Sequence, residues 1–200
     1  MKKVLLVFLA IISLTSCSRV APNYYGVLME NYGKNGKGDY SKQQGRVSTI
    51  SPGTELFQVP AWEQRGQFTD DEGQDRVLQV KAADNTAFTS KPLYSYKVIE
   101  NRVVDVVFQN SRLGSGDDFM RALQDKVLEP RIYDIIKEAS RSYTTDALMA
   151  NGGSLKFEQY VQDIVKKEFD KSILELISFS LNLDFSKKVK AKIDSRNEVN

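Results

Sequence analysis

The spacing of apolar residues changes twice along this 200-residue chain, and these changes constrain its fold most strongly. Up to about residue 100, short stretches alternate as strands do, whereas from about residue 101 apolar residues recur every three or four positions, as in helices. The period then returns to two at Ile177, Phe179, Leu181, Leu183 and Phe185. The order predicts an α+β fold: an N-terminal antiparallel β-rich sheet packed with several helices, and a late strand near 176–184.

Turn signals divide the β-rich half into strands. The glycine-rich segment Gly33–Asp39 predicts a hairpin loop. Ser51-Pro52-Gly53 places proline and glycine at the central positions of a type II turn. Pro92 lacks a backbone donor and therefore indicates a sheet edge or a bulge. The predicted strands are Tyr25–Glu30, Glu55–Val59, Arg76–Lys81 and Phe88–Val98.

The helical half contains several apolar faces. Pro130 is predicted to kink or restart one helix, and Ser154 is predicted to cap the clearest one. After the late strand, residues 185–200 are charged and helical, and they are predicted to begin a coiled coil. The predicted helical faces are Val103, Val104, Val107 and Phe108; then Phe119, Leu123 and Val127; then the stripe within Phe157–Phe169.

The N-terminus has the layout of an export signal. Lys2 and Lys3 precede an apolar run, Val4–Ile12, which is shorter than the roughly 20 residues that a membrane-spanning helix needs. Leu14, Thr15, Ser16 and Cys17 follow, and here the chain resembles a bacterial lipoprotein precursor with a lipobox. The resemblance implies that residues 1–16 are cleaved off, that Cys17 carries the lipid, and that residues 17–24 form a lipidated tether. An ordinary signal peptide ending near a buried cysteine is the alternative.

Charge and cysteine content narrow the function of the mature chain. Removing residues 1–16 takes away Lys2 and Lys3, so 28 basic against 26 acidic residues become 26 against 26. A neutral chain gives no electrostatic reason to expect nucleic acid as a partner. Cys17 is the only cysteine, so the mature protein has no internal disulfide and depends on an ordinary apolar core.

The sequence offers little for catalysis or metal binding. It has no histidine, which excludes Ser–His and Cys–His nucleophile pairs and makes zinc sites improbable. Gly33–Asp39 is not a phosphate-binding loop, because Asp39 and Tyr40 occupy the positions of its lysine and its serine or threonine. The acidic segment Asp70–Asp75 does not fit the spacing of a calcium loop and is interpreted as a solvated hairpin tip. We therefore expect no catalytic residue, cofactor or metal.

The order of elements as a whole resembles the stomatin/prohibitin/flotillin family, whose domain is called SPFH or band 7. The residues that carry the resemblance are Tyr25-Gly26-Val27, Ser51–Pro60, Val80–Asp84, Tyr94–Val98 and Ile177–Phe185. The resemblance places this domain at residues 25–184 and the start of an assembly helix at residues 185–200. It implies a membrane-bound scaffold that self-associates and regulates membrane proteases or other membrane proteins, and that is not itself an enzyme.

Two departures from that family shape the functional hypothesis. Family members usually enter the membrane through an N-terminal hydrophobic segment, whereas here a lipid on Cys17 takes that role. Family members also continue into a long coiled coil, of which only the first turns are present. We expect a lipid-anchored homo-oligomeric scaffold on the exported side of a membrane, inner or outer. The alternative is a monomeric exported lipoprotein that acts as a binding module.

Overall fold

A computed structural model describes residues 17–68, 76–114 and 118–197. Within them it has antiparallel strand pairs and several helices, which confirms the predicted α+β fold. The signal peptide, residues 1–16, and the acidic segment Asp70–Asp75 lie outside the described residues. The chain divides into two units: unit 1 comprises Met1–Glu63 and Val98–Leu123, and unit 2 comprises Gln64–Lys97 and Gln124–Asn200.

Unit 1 contains two small sheets and two helices. Its strands are β1 (Cys17–Arg19), β2 (Tyr24–Met29), β3 (Tyr40–Gln43), β4 (Arg46–Ser48) and β5 (Glu55–Pro60), and its helices are α1 (Val103–Asn110) and α2 (Asp118–Leu123). The strands form the sheets β3-β2-β5 and β1-β4. The core of the unit includes Phe57 and Phe119, which are fully buried and meet edge to face with their ring centroids 5.7 Å apart.

The predicted turns of unit 1 are present. β2 and β3 pair antiparallel across Gly33–Asp39, and two 3-10 turns form the connection. In the turn before β5, Gly53 has φ +79° and the Thr54 amide donates to the Ser51 carbonyl at 3.1 Å. This geometry confirms the proline-glycine turn, because a positive φ at its third position favours glycine.

The segment expected to be a tether, residues 17–24, is partly inside the fold. It contains β1 and the first residue of β2. Val20, directly after β1, packs in an apolar cluster with Leu28 and Val47. Gly26 makes this packing possible, because a Cβ at residue 26 would lie 2.3 Å from Cγ2 of Val20. β1 therefore joins the domain to the residue at which the lipid is predicted.

Unit 2 also contains two small sheets. Its strands are β6 (Gln64–Gln67), β7 (Leu78–Lys81), β8 (Ala87–Ser90), β9 (Leu93–Val98), β10 (Leu174–Ser180) and β11 (Leu183–Phe185). Val98, the last residue of β9, belongs to unit 1. They form the sheets β10-β9-β6 and β11-β8-β7. The strands of the described residues thus form four small sheets.

Two predicted strands of unit 2 are each divided in two. The predicted strand Phe88–Val98 breaks at Lys91 and Pro92, so that β8 and β9 enter different sheets. The late strand near 176–184 breaks before Leu183, and Asn182 in the break has φ +46°. Each break is short and leaves the apolar alternation intact, which explains why the sequence pattern predicted continuous strands.

Helices follow the first four strands of unit 2 and also follow its last strand. They are a π-helix (Gln124–Leu128), α3 (Glu129–Ser140), α4 (Thr145–Met149), α5 (Gly153–Lys171) and α6 (Lys187–Asn197). Pro130 stands in the first turn of α3, which confirms the predicted restart. α5 begins at Gly153, so Ser154 lies inside the helix and its prediction as a cap was wrong.

Two predicted apolar faces are rotated in the structure. In α1, Val106 is buried with Val103 and Val107, whereas Phe108 is 37% exposed. In the next face, Leu128 is buried and Val127 is only half-buried. The π-helix accounts for the second change, because its wider turn advances the inward face by one residue.

Candidate functional site

The surroundings of Cys17, the predicted lipid attachment residue, form the first candidate site. β1 pairs antiparallel with β4, and the opposed residues are Cys17 and Ser48, Ser18 and Val47, and Arg19 and Arg46. Leu14, Thr15 and Ser16 lie outside the described residues, so the lipobox stays a prediction. The structure places the backbone of Cys17 at the outer end of a two-stranded ribbon, which we call the β1–β4 ribbon (residues 17–19 and 46–48).

The β1–β4 ribbon has an inner and an outer face. Val47 is 5% exposed on the inner face, and the hydroxyls of Ser18 and Thr49 lie 3.3 Å apart. Arg19 and Arg46 are exposed on the outer face, as is Ser48. This division follows from the alternation of side chains along strands. The ribbon therefore presents a polar, basic outer face beside Cys17.

A small polar cavity in unit 2 is the second candidate. It has a volume of about 150 Å³, and its lining includes Phe68, Arg76, Asp125, Glu129 and Tyr133. Glu129 is only 8% exposed, and its Oε1 accepts no hydrogen bond from the residues that the structure describes. Burial raises the pKa of the Glu129 carboxyl, and Asp125 raises it further, against the lowering effects of Gln124 and Arg76. The cavity thus places hydrogen-bond acceptors around a small space.

Tyr94 adds a second buried polar group to unit 2. Its hydroxyl has no hydrogen-bond partner among the described residues. Burial raises the pKa of Tyr94 above its ordinary value, and neighbouring Tyr96 and Glu129 raise it further. A phenol in such surroundings stays neutral at physiological pH and is not a general base.

An open groove lies between helices of unit 2. It has a volume of about 420 Å³, and its lining includes Leu128, Ile132, Ile135 and Phe169. Arg131 and Glu168 also line it and form an ion pair at 2.8 Å, which lowers the pKa of the Glu168 carboxyl. Lys126, Asp134 and Ser172 line the groove as well, but most of its lining is apolar, so it suits an apolar side chain better than a polar substrate.

The described residues contain no site with the make-up of a metal centre. No group of three or more Cys, Asp or Glu side chains is placed to hold a metal ion there. Nor does that part of the chain contain a helix both long and apolar enough to cross a bilayer.

Only one of these places was predicted from the sequence. Cys17 was predicted from the lipobox pattern and stays a prediction, and β1 was not predicted, because its three residues show no period. It also missed Glu129, because only the π-helix turns this carboxylate inward, and apolar spacing does not reveal a π-helix.

Comparison with known protein families finds a match over most of the chain. A family model described as SPFH domain / Band 7 family matches residues 18–199. No curated protein matches the chain significantly. The matched range begins one residue after Cys17 and takes in all the described elements that follow it.

Proposed function

The chain belongs to the SPFH domain / Band 7 family, and on that premise we propose that it is a self-associating membrane scaffold anchored by a lipid on Cys17. The family is one of membrane-associated scaffolds that are generally not enzymes. In this role the protein organises or regulates other membrane proteins, a membrane protease being one candidate. Its domain faces the exported side of the membrane.

The observation that carries the proposal is the position of Cys17 relative to the domain. The predicted lipobox ends at Cys17, and the matched family domain begins at residue 18. Each buried CH₂ of an acyl chain contributes about 0.8 kcal/mol to membrane binding, so the two or three chains of a lipoprotein give stable anchoring. A scaffold domain that follows the lipid directly stays at the membrane surface throughout.

Changing Cys17 to serine tests the anchor. We expect the wild-type chain to stay in the membrane fraction after an alkaline carbonate wash, and its N-terminal peptide to have the mass of an acylated Cys17. The Cys17→Ser variant removes the sulfur that takes the lipid, so acylation should disappear. Ser16→Ala, which keeps a small residue before the cysteine, is the matched control and should be acylated normally. An unacylated wild-type Cys17 would contradict the anchor.

Light scattering tests the scaffold function separately. The detergent-solubilised mature protein, separated by size exclusion, should have the mass of a homo-oligomer after correction for detergent. A protein that remains strictly monomeric at high concentration would contradict the scaffold and favour the alternative function, a monomeric exported binding module.

A further inference from the structure

Two arginines stand directly opposite each other on the outer face of the β1–β4 ribbon. Arg19 of β1 pairs with Arg46 of β4, and both side chains are exposed. Directly opposed residues of antiparallel strands have Cβ atoms about 4.5–5.5 Å apart, and like charges at such positions destabilise a sheet. Neither guanidinium makes an ion pair or hydrogen bond with a residue that the structure describes. The ribbon therefore concentrates two positive charges that nothing in the described fold neutralises.

The lipid predicted on Cys17 brings this pair to the membrane. Arg19 is two residues after Cys17, which is about 7 Å along a strand. The polar headgroup region of one leaflet is roughly 5–8 Å thick. Because Cys17 itself belongs to β1, no flexible segment separates the lipid attachment residue from Arg19. Arg19 therefore stays close to the membrane surface. Arg46 is held at the same level because it opposes Arg19.

We propose that Arg19 and Arg46 together bind the phosphate groups of anionic phospholipids and hold the β1–β4 ribbon against the membrane. This inference rests on the proposed lipid anchor. A guanidinium matches a phosphate group because its planar fork donates two parallel hydrogen bonds to two oxygens. Anionic lipids are the ligand rather than free phosphate because the anchor keeps the pair within a dense layer of headgroups, at a high effective concentration.

An exposed apolar side chain at the same end of the ribbon supports this orientation. Ile50 is 62% exposed and lies two residues beyond Ser48, the residue opposite Cys17. Chain direction in β4 carries residues 49 and 50 past the level of Cys17, on the side away from Arg46. From the tip of the ribbon towards the rest of the domain, the order is therefore Ile50, then Cys17, then the two arginines. This order matches the layers of a membrane, with Ile50 at the acyl chains, Cys17 at the interface and the arginines at the phosphates.

A fluorescent label beside Cys17 tests the proposal in the full lipidated protein. Cys17 is the only cysteine and is acylated in the mature protein, so Ser48→Cys introduces a single free thiol for an environment-sensitive dye. The labelled protein is reconstituted in vesicles of phosphatidylcholine, with or without 30 mol% phosphatidylglycerol. We expect a blue-shifted emission only with phosphatidylglycerol, and its loss at high salt.

Matched variants distinguish a specific effect of Arg19 and Arg46 from an effect of the total charge of the protein. Each basic residue near an anionic surface strengthens binding about fivefold, so Arg19→Ala with Arg46→Ala should lower the docked-to-undocked ratio about 25-fold. Arg112→Ala with Arg141→Ala removes two exposed arginines elsewhere and should leave the emission unchanged. Arg19→Lys with Arg46→Lys keeps the charge but loses the planar fork, so docking should fall below that of the wild type and stay above that of the alanine variant. Circular dichroism confirms that each variant is folded.

The possible results are separable. Unchanged emission in the Arg19→Ala, Arg46→Ala variant would overturn the proposal, as would equal docking on vesicles of phosphatidylcholine alone. A similar loss in the Arg112→Ala, Arg141→Ala control would also overturn it, because docking would then follow total charge. The mass of the N-terminal peptide is measured first: an unacylated Cys17 means that the anchor itself fails, whereas acylation without docking means that only the arginine proposal fails.

Discussion

At the scale of single residues, Glu129 departs most from what the sequence leads one to expect. A carboxylate is rarely buried without a pairing partner, yet Glu129 is 8% exposed and its Oε1 has no hydrogen-bond partner in the described structure. Burial raises the pKa of this carboxyl. In such surroundings the ionised carboxylate destabilises the folded state, and binding of a proton removes this destabilisation.

Replacing Glu129 with glutamine should stabilise the protein at neutral pH. The folded pKa lies above the ordinary value of about 4.3, so the folded state binds more protons between these two values. The stability of the wild type therefore falls as pH rises through this window. We expect Glu129→Gln to raise the free energy of unfolding by about 1 kcal/mol at pH 7.

The gain should vanish below about pH 4, where Glu129 is protonated in both folded and unfolded states. Urea denaturation at both pH values measures the difference. Glu138→Gln is the matched control, because Glu138 is exposed on the same helix, α3, and should change little at either pH. A Glu129→Gln variant less stable than the wild type at pH 7 would show that the carboxylate is satisfied in solution.

At the scale of elements, the sequence predicted best where signals were local. The turn at Ser51–Gly53 and strand β5 were correct because proline and glycine determine backbone angles directly. β1 was missed because three residues are too few for a period, and its partner β4 lies 27 residues or more further along the chain. Apolar alternation also continues through the breaks at Pro92 and Asn182. It therefore could not predict that the strands on the two sides of each break belong to different sheets.

The packing of Val20, directly after β1, against β2 depends on Gly26, and a substitution of this glycine tests it. A Cβ at residue 26 would lie 2.3 Å from Cγ2 of Val20 and 3.0 Å from the Gln43 carbonyl oxygen. Valine has a restricted χ1, so β1 must shift to make room. Gly26→Ala should lower the free energy of unfolding by about 1–3 kcal/mol and speed amide exchange in β1.

Adding Val20→Ala to the Gly26→Ala variant should recover part of this loss, because it removes the clashing methyl groups. Gly38→Ala is the control, since a Cβ at residue 38 meets no atom within 4 Å, and it should change stability by less than about 0.5 kcal/mol. Strictly additive effects of Val20→Ala and Gly26→Ala would show that the two residues are not coupled.

At the scale of the whole molecule, charge does not oppose self-association. The chain that the predicted cleavage before Cys17 would leave has 26 basic and 26 acidic residues. A protein near zero net charge has little long-range repulsion between copies. The proposed lipid anchor would add a second factor, since it would restrict the copies to a surface and raise their effective concentration.

Under the proposed scaffold function, the C-terminal helix α6 is the element that we expect to join copies. Ser186 precedes it, and its carbonyl accepts from the Val189 and Lys190 amides at 3.0 Å. Lys190 pairs with Asp184 at 2.7 Å, whereas Lys187 and Lys188 are exposed. An isolated helix of 11 residues is marginal in water, so a stable α6 requires packing against something beyond its own turns.

Deleting residues 187–200 should therefore lower the oligomer mass and leave the free energy of unfolding within about 0.5 kcal/mol of the wild type. Stability is expected to hold because the described side chains of α6 are mostly exposed. Light scattering measures the mass, and deletion of residues 198–200 alone is the control that keeps α6 intact. An unchanged mass after the longer deletion would show that α6 does not join the copies. The apolar groove of unit 2, lined by Leu128, Ile132 and Phe169, would then be the next surface to test.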